Sequence, residues 1–364
     1  MACVFFNKNK IMLTENYNVI GVMSGTSLDG IDIAYINFKK TKSWKYEILF
    51  AKTYKYDKDW KNKLETSHYL RNNELEVLNV HYTELLASRI KEFIQENSIR
   101  EIDLIGSHGH TIFHQPSEGY TFQIGNIQDL ANYLGKTVVC DFRIGDILLG
   151  GQGAPLVPIG DLLLFKKYDA CLNLGGFANI SIKSKNEIIA YDICAVNTVF
   201  NFLSKKLKLE FDNEGLNARK GKLIKDLYFK LTDLKFYKIK PPKSLGIEWV
   251  KAEVFPLLEY FSTYPIFDLL HTYLIHISEE IAKNLNQSNS TLITGGGAYN
   301  IFLIEQIRKY SSTELILPGK SLIDFKEALI FGFLGVLKYR DEINCLKSVT
   351  GSKIDHSSGK IFHP

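Results

Sequence analysis

The sequence predicts an α/β protein built in two similar halves. Three observations predict it. Short apolar runs rich in Val and Ile alternate with longer segments that are apolar at helical spacing. The order strand, turn, strand, strand, helix occurs from Asn18 and again from Asp169, without a residue-level repeat. A Gly/Pro-rich stretch, Gly150 to Pro158, separates the two openings and marks a domain crossing. A chain of 364 residues with 45% hydrophobic and 23% charged residues buries a core of useful size.

In the first half, 18–23 and 31–38 read as strands joined by the polar turn Ser24-Gly25-Thr26-Ser27-Leu28-Asp29-Gly30, and 45–54 adds a third strand. Leu75, Leu78, Tyr82, Leu85, Leu86, Ile90, Phe93 and Ile94 predict one amphipathic helix over 74–97. Residues 102–109 and 136–142 read as buried strands, with a helix over 126–134 between them. In the second half, 169–176, 178–183 and 187–192 read as strands and 197–207 as a helix. A long helix over 268–287 precedes a strand over 291–297, and helices follow over 299–310 and 324–339, the last with Gly332 and Gly335 on a packing face. The tail from 346 reads as a small terminal element. The expected domains are an N-terminal extension (1–17), a first lobe (18–147 plus 347–364) and a second lobe (148–346).

Net charge is +4, from 44 basic and 40 acidic residues, and no basic stripe interleaved with aromatics occurs. Nucleic acid is therefore not an expected partner. Five Cys with no C-x-x-C imply reduced thiols and a cytoplasmic protein. The apolar run at the N-terminus precedes its lysines, the wrong order for a secretory signal. No apolar stretch approaches the roughly 18 residues that span a bilayer.

The polar turn after the first strand carries the most chemistry. Gly25 and Gly30 let backbone amides approach an anion. Ser24, Thr26 and Ser27 can donate to phosphate oxygens, and Asp29 and Asp32 offer the oxygen ligands that Mg²⁺ takes. The same residues also suit a plain polar hairpin. Two further turns at strand ends, Gly175-Gly176 and Gly295-Gly296-Gly297 with Asn300, can each be simple tight turns. Three such turns in two similar halves imply a nucleotide gripped between lobes. Asp192 reads either as a helix N-cap or as a general base at the floor of a cleft. Asp141 and Arg143 suit a partly buried ion pair, and Glu327 an ordinary first-turn acid. His108, His110 and His114 show the spacing H-x-H-x₃-H, but no further ligand accompanies them at a zinc-site spacing.

The string Gly21-Val22-Met23-Ser24-Gly25-Thr26-Ser27-Leu28-Asp29-Gly30-Ile31-Asp32 closely resembles the N-terminal signature of the 1,6-anhydro-N-acetylmuramic acid kinases. The resemblance continues through Ser107-His108-Gly109-His110-Thr111, Gln123 to Asn126, Asp141-Phe142-Arg143, Gly150 to Pro158, Asn173 to Asn179, Lys243-Ser244-Leu245-Gly246, the Gly295 triplet and Val349-Thr350-Gly351. It implies the actin-like, hexokinase-like ATPase fold with two lobes and a central cleft. It implies a kinase that uses ATP and Mg²⁺ to phosphorylate O6 of the anhydro sugar while water opens the 1,6-anhydro bridge, in peptidoglycan recycling, and a homodimer. By position in the motifs, Asp192 corresponds to the catalytic aspartate. Ser24 to Asp32, Gly175, Gly176, Gly295 to Gly297 and Asn300 would bind ATP, with Asp29 and Asp32 on the metal. His108, Arg143 and Glu327 would bind the sugar.

This sequence departs from the family pattern at three places. Asp192-Ile193-Cys194-Ala195-Val196-Asn197 stands where many members carry Asp-x-Gly-Pro-Gly-Asn. Ile144 and Gly145 follow Arg143 where further arginines are common, and Leu245 stands where Thr is usual. These departures keep two alternatives open: a kinase of the same fold for a related amino sugar, and a non-catalytic nucleotide-binding protein.

Overall fold

The computed structural model describes residues 15–25, 27–183 and 187–364. Thr26 and most of the expected extension, 1–14, lie outside the described residues. In the first half the strands are β1 (Asn16–Ser24), β2 (Ile31–Lys40), β3 (Trp44–Tyr54), β4 (Leu104–Ser107), β5 (His110–Gln115), β6 (Tyr120–Ile124) and β7 (Val138–Cys140). The second half contributes β8 (Ala170–Leu174), β9 (Phe177–Lys183), β10 (Ile188–Ala195), β11 (Ser290–Thr294) and β12 (Glu314–Ile316), and β13 (Lys360–Phe362) closes the chain.

One sheet runs β3-β2-β1-β4-β7-β13 and a second runs β10-β9-β8-β11-β12. In each, the first three strands are antiparallel and the next two join parallel to the first. The two halves thus share strand order and direction, the duplicated plan of the actin-like, hexokinase-like ATPases. β13 adds to β7 and returns the C-terminal residues to the first sheet.

β1 and β4 are apolar and buried almost throughout because both faces of this part of the sheet are covered. On one face lies the helix Asn72–Glu96, whose Leu75, Leu78, Tyr82, Leu86, Ile90 and Phe93 form the buried stripe. The Glu74 carboxylate accepts from the Arg71 N–H at 2.8 Å and fixes the start of this helix. On the other face lies the helix Lys320–Tyr339, which packs on β1, β2 and β4 and also reaches β11. Its Ala328, Leu329, Phe331 and Phe333 share a core with Val19 and Leu104 of the first sheet and with Cys171 and Leu292 of the second. Only glycine permits this approach. A methyl at Gly21 would lie 2.0 Å from the Ala328 carbonyl oxygen, and one at Gly106 would lie 2.4 Å from that of Phe331.

The strands and long helices fall where the hydrophobic pattern predicts them, with shifted ends. β1 begins at Asn16 with Tyr17 buried, so the last two residues of the expected extension belong to the sheet. The strand expected over 136–142 is confined to Val138–Cys140, and Asp141 turns away at φ 57°. The β5–β6 hairpin and a helix over Lys58–Thr66 were not predicted. Both carry polar residues on an open face, which weakens the apolar pattern. Asp57 marks the helix start by accepting from the Trp60 N–H at 2.8 Å.

Candidate active site

The β1–β2 connection occupies residues 25–30. Leu28 takes φ 58° and its N–H closes a turn onto the Gly25 carbonyl at 3.3 Å. Gly30 is required by its surroundings, since a methyl there would lie 2.5 Å from the Tyr54 carbonyl oxygen. Ser27 and Asp29 are exposed at the tip. Ile31 is buried and pairs with Ser24 across the ladder, so it anchors the hairpin through the core. The Ser24 hydroxyl, expected to face phosphate, is buried. Its Oγ lies 2.6 Å from Tyr56 Oη and 2.8 Å from His110 Nδ1, and Tyr56 continues to Tyr82 at 2.8 Å. This polar chain ties the base of the hairpin to β5 and the Asn72–Glu96 helix.

Asp32 leaves β2 beside Thr53, whose hydroxyl donates to it at 2.5 Å. Partial burial, together with the negative charges of Glu327, Asp29 and Asp324, pushes its pKa up to about 6. Asp32 therefore lies in the field of three further carboxylates, one from the hairpin tip and two from the Lys320–Tyr339 helix. Carboxylate oxygens are the hard donors that Mg²⁺ takes. Glu327 and Asp324 come from the first turns of the Lys320–Tyr339 helix, which departs from helical geometry at Phe325. Burial raises the Glu327 pKa, against the opposing Lys326 and Arg143 charges.

The other two glycine turns meet. β8 and β11 are parallel neighbours with Thr294 opposite Asn173, which brings Gly175-Gly176 beside Gly295 to Gly297. A methyl at Gly295, at φ +83°, would strike Asn173 Oδ1 at 2.6 Å, and one at Gly297 would strike Leu174 Cβ at 2.7 Å. The Gly175 and Gly176 carbonyls accept from the Asn197, Val196 and Thr198 N–H groups and so cap the helix Asn197–Lys206. The Gly295 turn reaches the acidic group directly. The Gly295 N–H donates to the Ile323 carbonyl at 3.2 Å, and the Tyr299 hydroxyl donates to Asp324 at 2.7 Å. Asn300 is taken up by structure, since its Oδ1 caps the helix Ile301–Tyr310 at the Leu303 N–H, 3.0 Å away.

Asp192 lies inside β10 at a bulge and is not a helix cap, because the next helix starts five residues later behind Val196. Its Oδ1 accepts from the Asn179 amide and its Oδ2 from the Leu245 N–H at 2.7 Å. Burial raises its pKa. Asp192, Asn179, Asn173 and Thr294 stand opposite one another across four strands. This polar row runs from the carboxylate to the Gly295 turn. Cys194, Ala195 and Val196, where glycine and proline are usual, are fully buried in the core of the second half. Val196 Cγ1 also lies close to Gly297. The Leu245 contact is a main-chain one, so the change from Thr leaves it in place.

Arg143 does not pair with Asp141. Asp141 turns outward to Lys360 at 2.7 Å, whereas Arg143 donates from Nε to His108 Nε2 at 3.0 Å and from Nη1 to the Gly153 carbonyl at 2.7 Å. His108 Nδ1 faces the Gly109 carbonyl at 2.9 Å, so the ring is the Nδ1–H tautomer and is filled at both nitrogens. Burial and the Arg143 charge hold its pKa well below the usual range. His108 therefore positions Arg143. His110 joins Ser24, and His114 joins Thr121 at 3.1 Å, so the three histidines do not converge. Thr53, Tyr299 and Asp324 contact these candidate residues and were not predicted among them, whereas Asn179 closes the Asn173 to Asn179 string already singled out. Only their register or a contact across the chain marks the first three.

The duplicated strand order and direction of the two sheets are those of the actin-like, hexokinase-like ATPase fold. The family model for anhydro-N-acetylmuramic acid kinase matches residues 17–364. The chain belongs to that family. It is 31% identical to the anhydro-N-acetylmuramic acid kinase of Bacillus cereus (strain G9842), covering 95% of this chain and 99% of that one. It is 33% identical to the kinase of the same name from Francisella tularensis subsp. novicida (strain U112), over 96% and 99%. Among solved structures, (R)-2-hydroxyglutaryl-CoA dehydratase component A of Acidaminococcus fermentans aligns over 89% of this chain and 99% of its own, at TM-score 0.48 and 10% identity. No helix among the described residues is long and apolar enough to cross a membrane.

Proposed function

We propose that the chain transfers the γ-phosphoryl group of ATP to O6 of 1,6-anhydro-N-acetylmuramic acid while water adds at C1, giving N-acetylmuramic acid 6-phosphate and ADP in peptidoglycan recycling. The observation that carries this reading is Asp192, a half-buried carboxylate held at both oxygens. Each oxygen keeps a lone pair, and the raised pKa suits a group that must accept a proton. Asp192 takes a proton from the water that attacks C1. The C1–O6 electron pair passes to O6, which attacks the γ-phosphorus.

At the tip of the hairpin, Gly25, Ser27, Asp29 and Gly30 would offer main-chain N–H groups, and Ser27 its hydroxyl, to the phosphates, while Ser24 fixes its base. Asp29 and Asp32 would hold Mg²⁺, which when bound neutralises phosphate charge. Gly175, Gly176 and Gly295 to Gly297 leave room for the nucleoside, and Asn300 acts there through the helix it caps. Arg143, oriented by His108, and Glu327 line the sugar end. Residues 16–147 with 347–364 would form one lobe and 148–346 the other. The helix Lys320–Tyr339 leaves the second lobe to pack on the first sheet, so it bridges the two. A cytoplasmic homodimer fits the reading.

The test is turnover of the anhydro sugar with ATP and Mg²⁺ in ¹⁸O water. The expected product is a 6-phosphate with ¹⁸O at C1. Faster phosphorylation of the free amino sugar, with no label from solvent, would replace this reading by the related-sugar kinase. ATP binding without turnover on either sugar would replace it by a non-catalytic role.

A further inference from the structure

Away from the acidic cleft, Asp146, Cys345 and His356 converge where the C-terminal segment meets the first half. Asp146 belongs to the short helix Ile144–Leu148 and is fully buried. The Gly151 to Gly153 loop wraps it so closely that a methyl at Gly151 would lie 2.1 Å from Oδ2. Oδ2 accepts from the Gly153 N–H at 2.7 Å. Oδ1 accepts from Cys345 Sγ at 3.1 Å and Thr350 Oγ1 at 2.7 Å. Cys345 and His356 are cross-strand partners, joined by main-chain hydrogen bonds of 3.1 Å in both directions.

The histidine is the unexplained member. Its Nδ1 lies 3.1 Å from the Ile354 carbonyl, which can only accept, so Nδ1 carries a proton. Nε2 is buried without a hydrogen-bond partner and lies 3.6 Å from Asp146 Oδ1, with its side chain 10% exposed. In the neutral ring, an imidazole lone pair and a carboxylate oxygen face each other with nothing to reconcile them.

We propose that Asp146, Cys345 and His356 form a site for one thiophilic divalent cation of the zinc class, which pins the C-terminal segment to the Ile144–Leu148 helix. The three donor atoms lie within 4.8 Å of one another. Zinc bond lengths of about 2.3 Å to sulfur and about 2.0 Å to nitrogen or oxygen imply tetrahedral edges of about 3.5 Å (S···O) and about 3.3 Å (N···O). The observed 3.1 and 3.6 Å bracket these within a few tenths of an ångström. Binding releases the Cys345 thiol proton to solvent. Thiolate, carboxylate and neutral imidazole then balance the two positive charges, and a water takes the fourth position.

The test uses the full chain, stripped with chelator and dialysed against Zn²⁺ and then metal-free buffer. Elemental analysis should return one Zn²⁺ per chain. Co²⁺ in its place should give a thiolate-to-metal band in the near ultraviolet. Cys345→Ser, which is nearly isosteric, should abolish that band. His356→Ala removes a ligand outright and should weaken Zn²⁺ retention by more than the roughly 10- to 100-fold that loss of a mere outer-shell partner costs. Failure of the stripped wild-type chain to hold Zn²⁺ would overturn the proposal. So would a Co²⁺ band that survives Cys345→Ser, which would put the thiolate elsewhere, or unchanged Zn²⁺ retention in His356→Ala.

Discussion

Asp192 and Lys326 show how differently two ionisable groups are used. Asp192 is half-buried, and both its partners are neutral donors that leave it free to take a proton. Asp192→Asn keeps the shape and removes the base. Turnover should fall by at least about 10²-fold while ATP affinity, read by calorimetry, stays within a factor of about two. A near wild-type rate would remove Asp192 from its role. Lys326, next to the cleft acid Glu327, is sealed in an ion pair with Asp161 at 2.7 Å, with side-chain exposures of 4% and 2%. Lys326→Met would leave Asp161 buried and unpaired, at a cost of about 3–5 kcal/mol in urea unfolding. Adding Asp161→Leu should recover most of that loss, because the charge that needs a partner is gone.

At the scale of elements, the helix Lys320–Tyr339 sets the spacing of the site. Its contact with β1 and β4 depends on absent side chains, so Gly21→Ala should cost about 1–3 kcal/mol by overpacking. Because that helix carries Glu327 and Asp324, the same variant should also slow turnover, which a steady-state assay would show. The helix Ile266–Leu285 carries a different liability. His276 lies buried among Tyr228, Tyr237 and Tyr273, and burial lowers its pKa to about 3. The unfolded chain binds that proton near pH 6.5. Stability from this group is therefore full above pH 6.5 and is lost as pH falls toward 3, about 2 kcal/mol of it by pH 5. His108, His110 and His114 act in the same direction. The difference between wild type and His276→Phe in unfolding free energy, measured at pH 7 and pH 5, isolates the His276 share. Equal pH slopes in the two proteins would show that the ring charges freely in the folded state.

At the scale of the molecule, the proposed chemistry draws on both halves. The hairpin acids belong to the first sheet, whereas Asp192 and the Gly295 turn belong to the second. Two lobes that meet over substrate should close on it. Small-angle scattering should show a smaller radius of gyration with a non-hydrolysable ATP analogue plus sugar than without ligands. Superimposable profiles would mean the cleft is already formed. The fold was legible in the sequence because the central strands of both sheets are apolar runs and the long helices show apolar stripes. Much of the site was legible too, through glycine turns and acids at strand ends. Among what escaped were the β5–β6 hairpin, the helices Lys58–Thr66, Lys225–Thr232 and Phe255–Tyr260, the arrangement of Asn179, Asn173 and Thr294 in one row, and the support that Thr53 and Tyr299 give the acids.

The sequence by itself determined the α/β class, the repeated opening of the two halves, the family motifs and the candidate base, because these rest on local periodicity and on short strings. Only the tertiary structure decided what the side chains do. It turned Ser24 inward to His110 and Tyr56, gave Arg143 to His108 instead of Asp141, and gave Asn300 to a helix cap. It also gathered Asp32, Glu327 and Asp324 from opposite ends of the chain. Hydrogen bonds and charges act over a few ångströms of space, and strand pairing brings into that range residues that lie hundreds of positions apart.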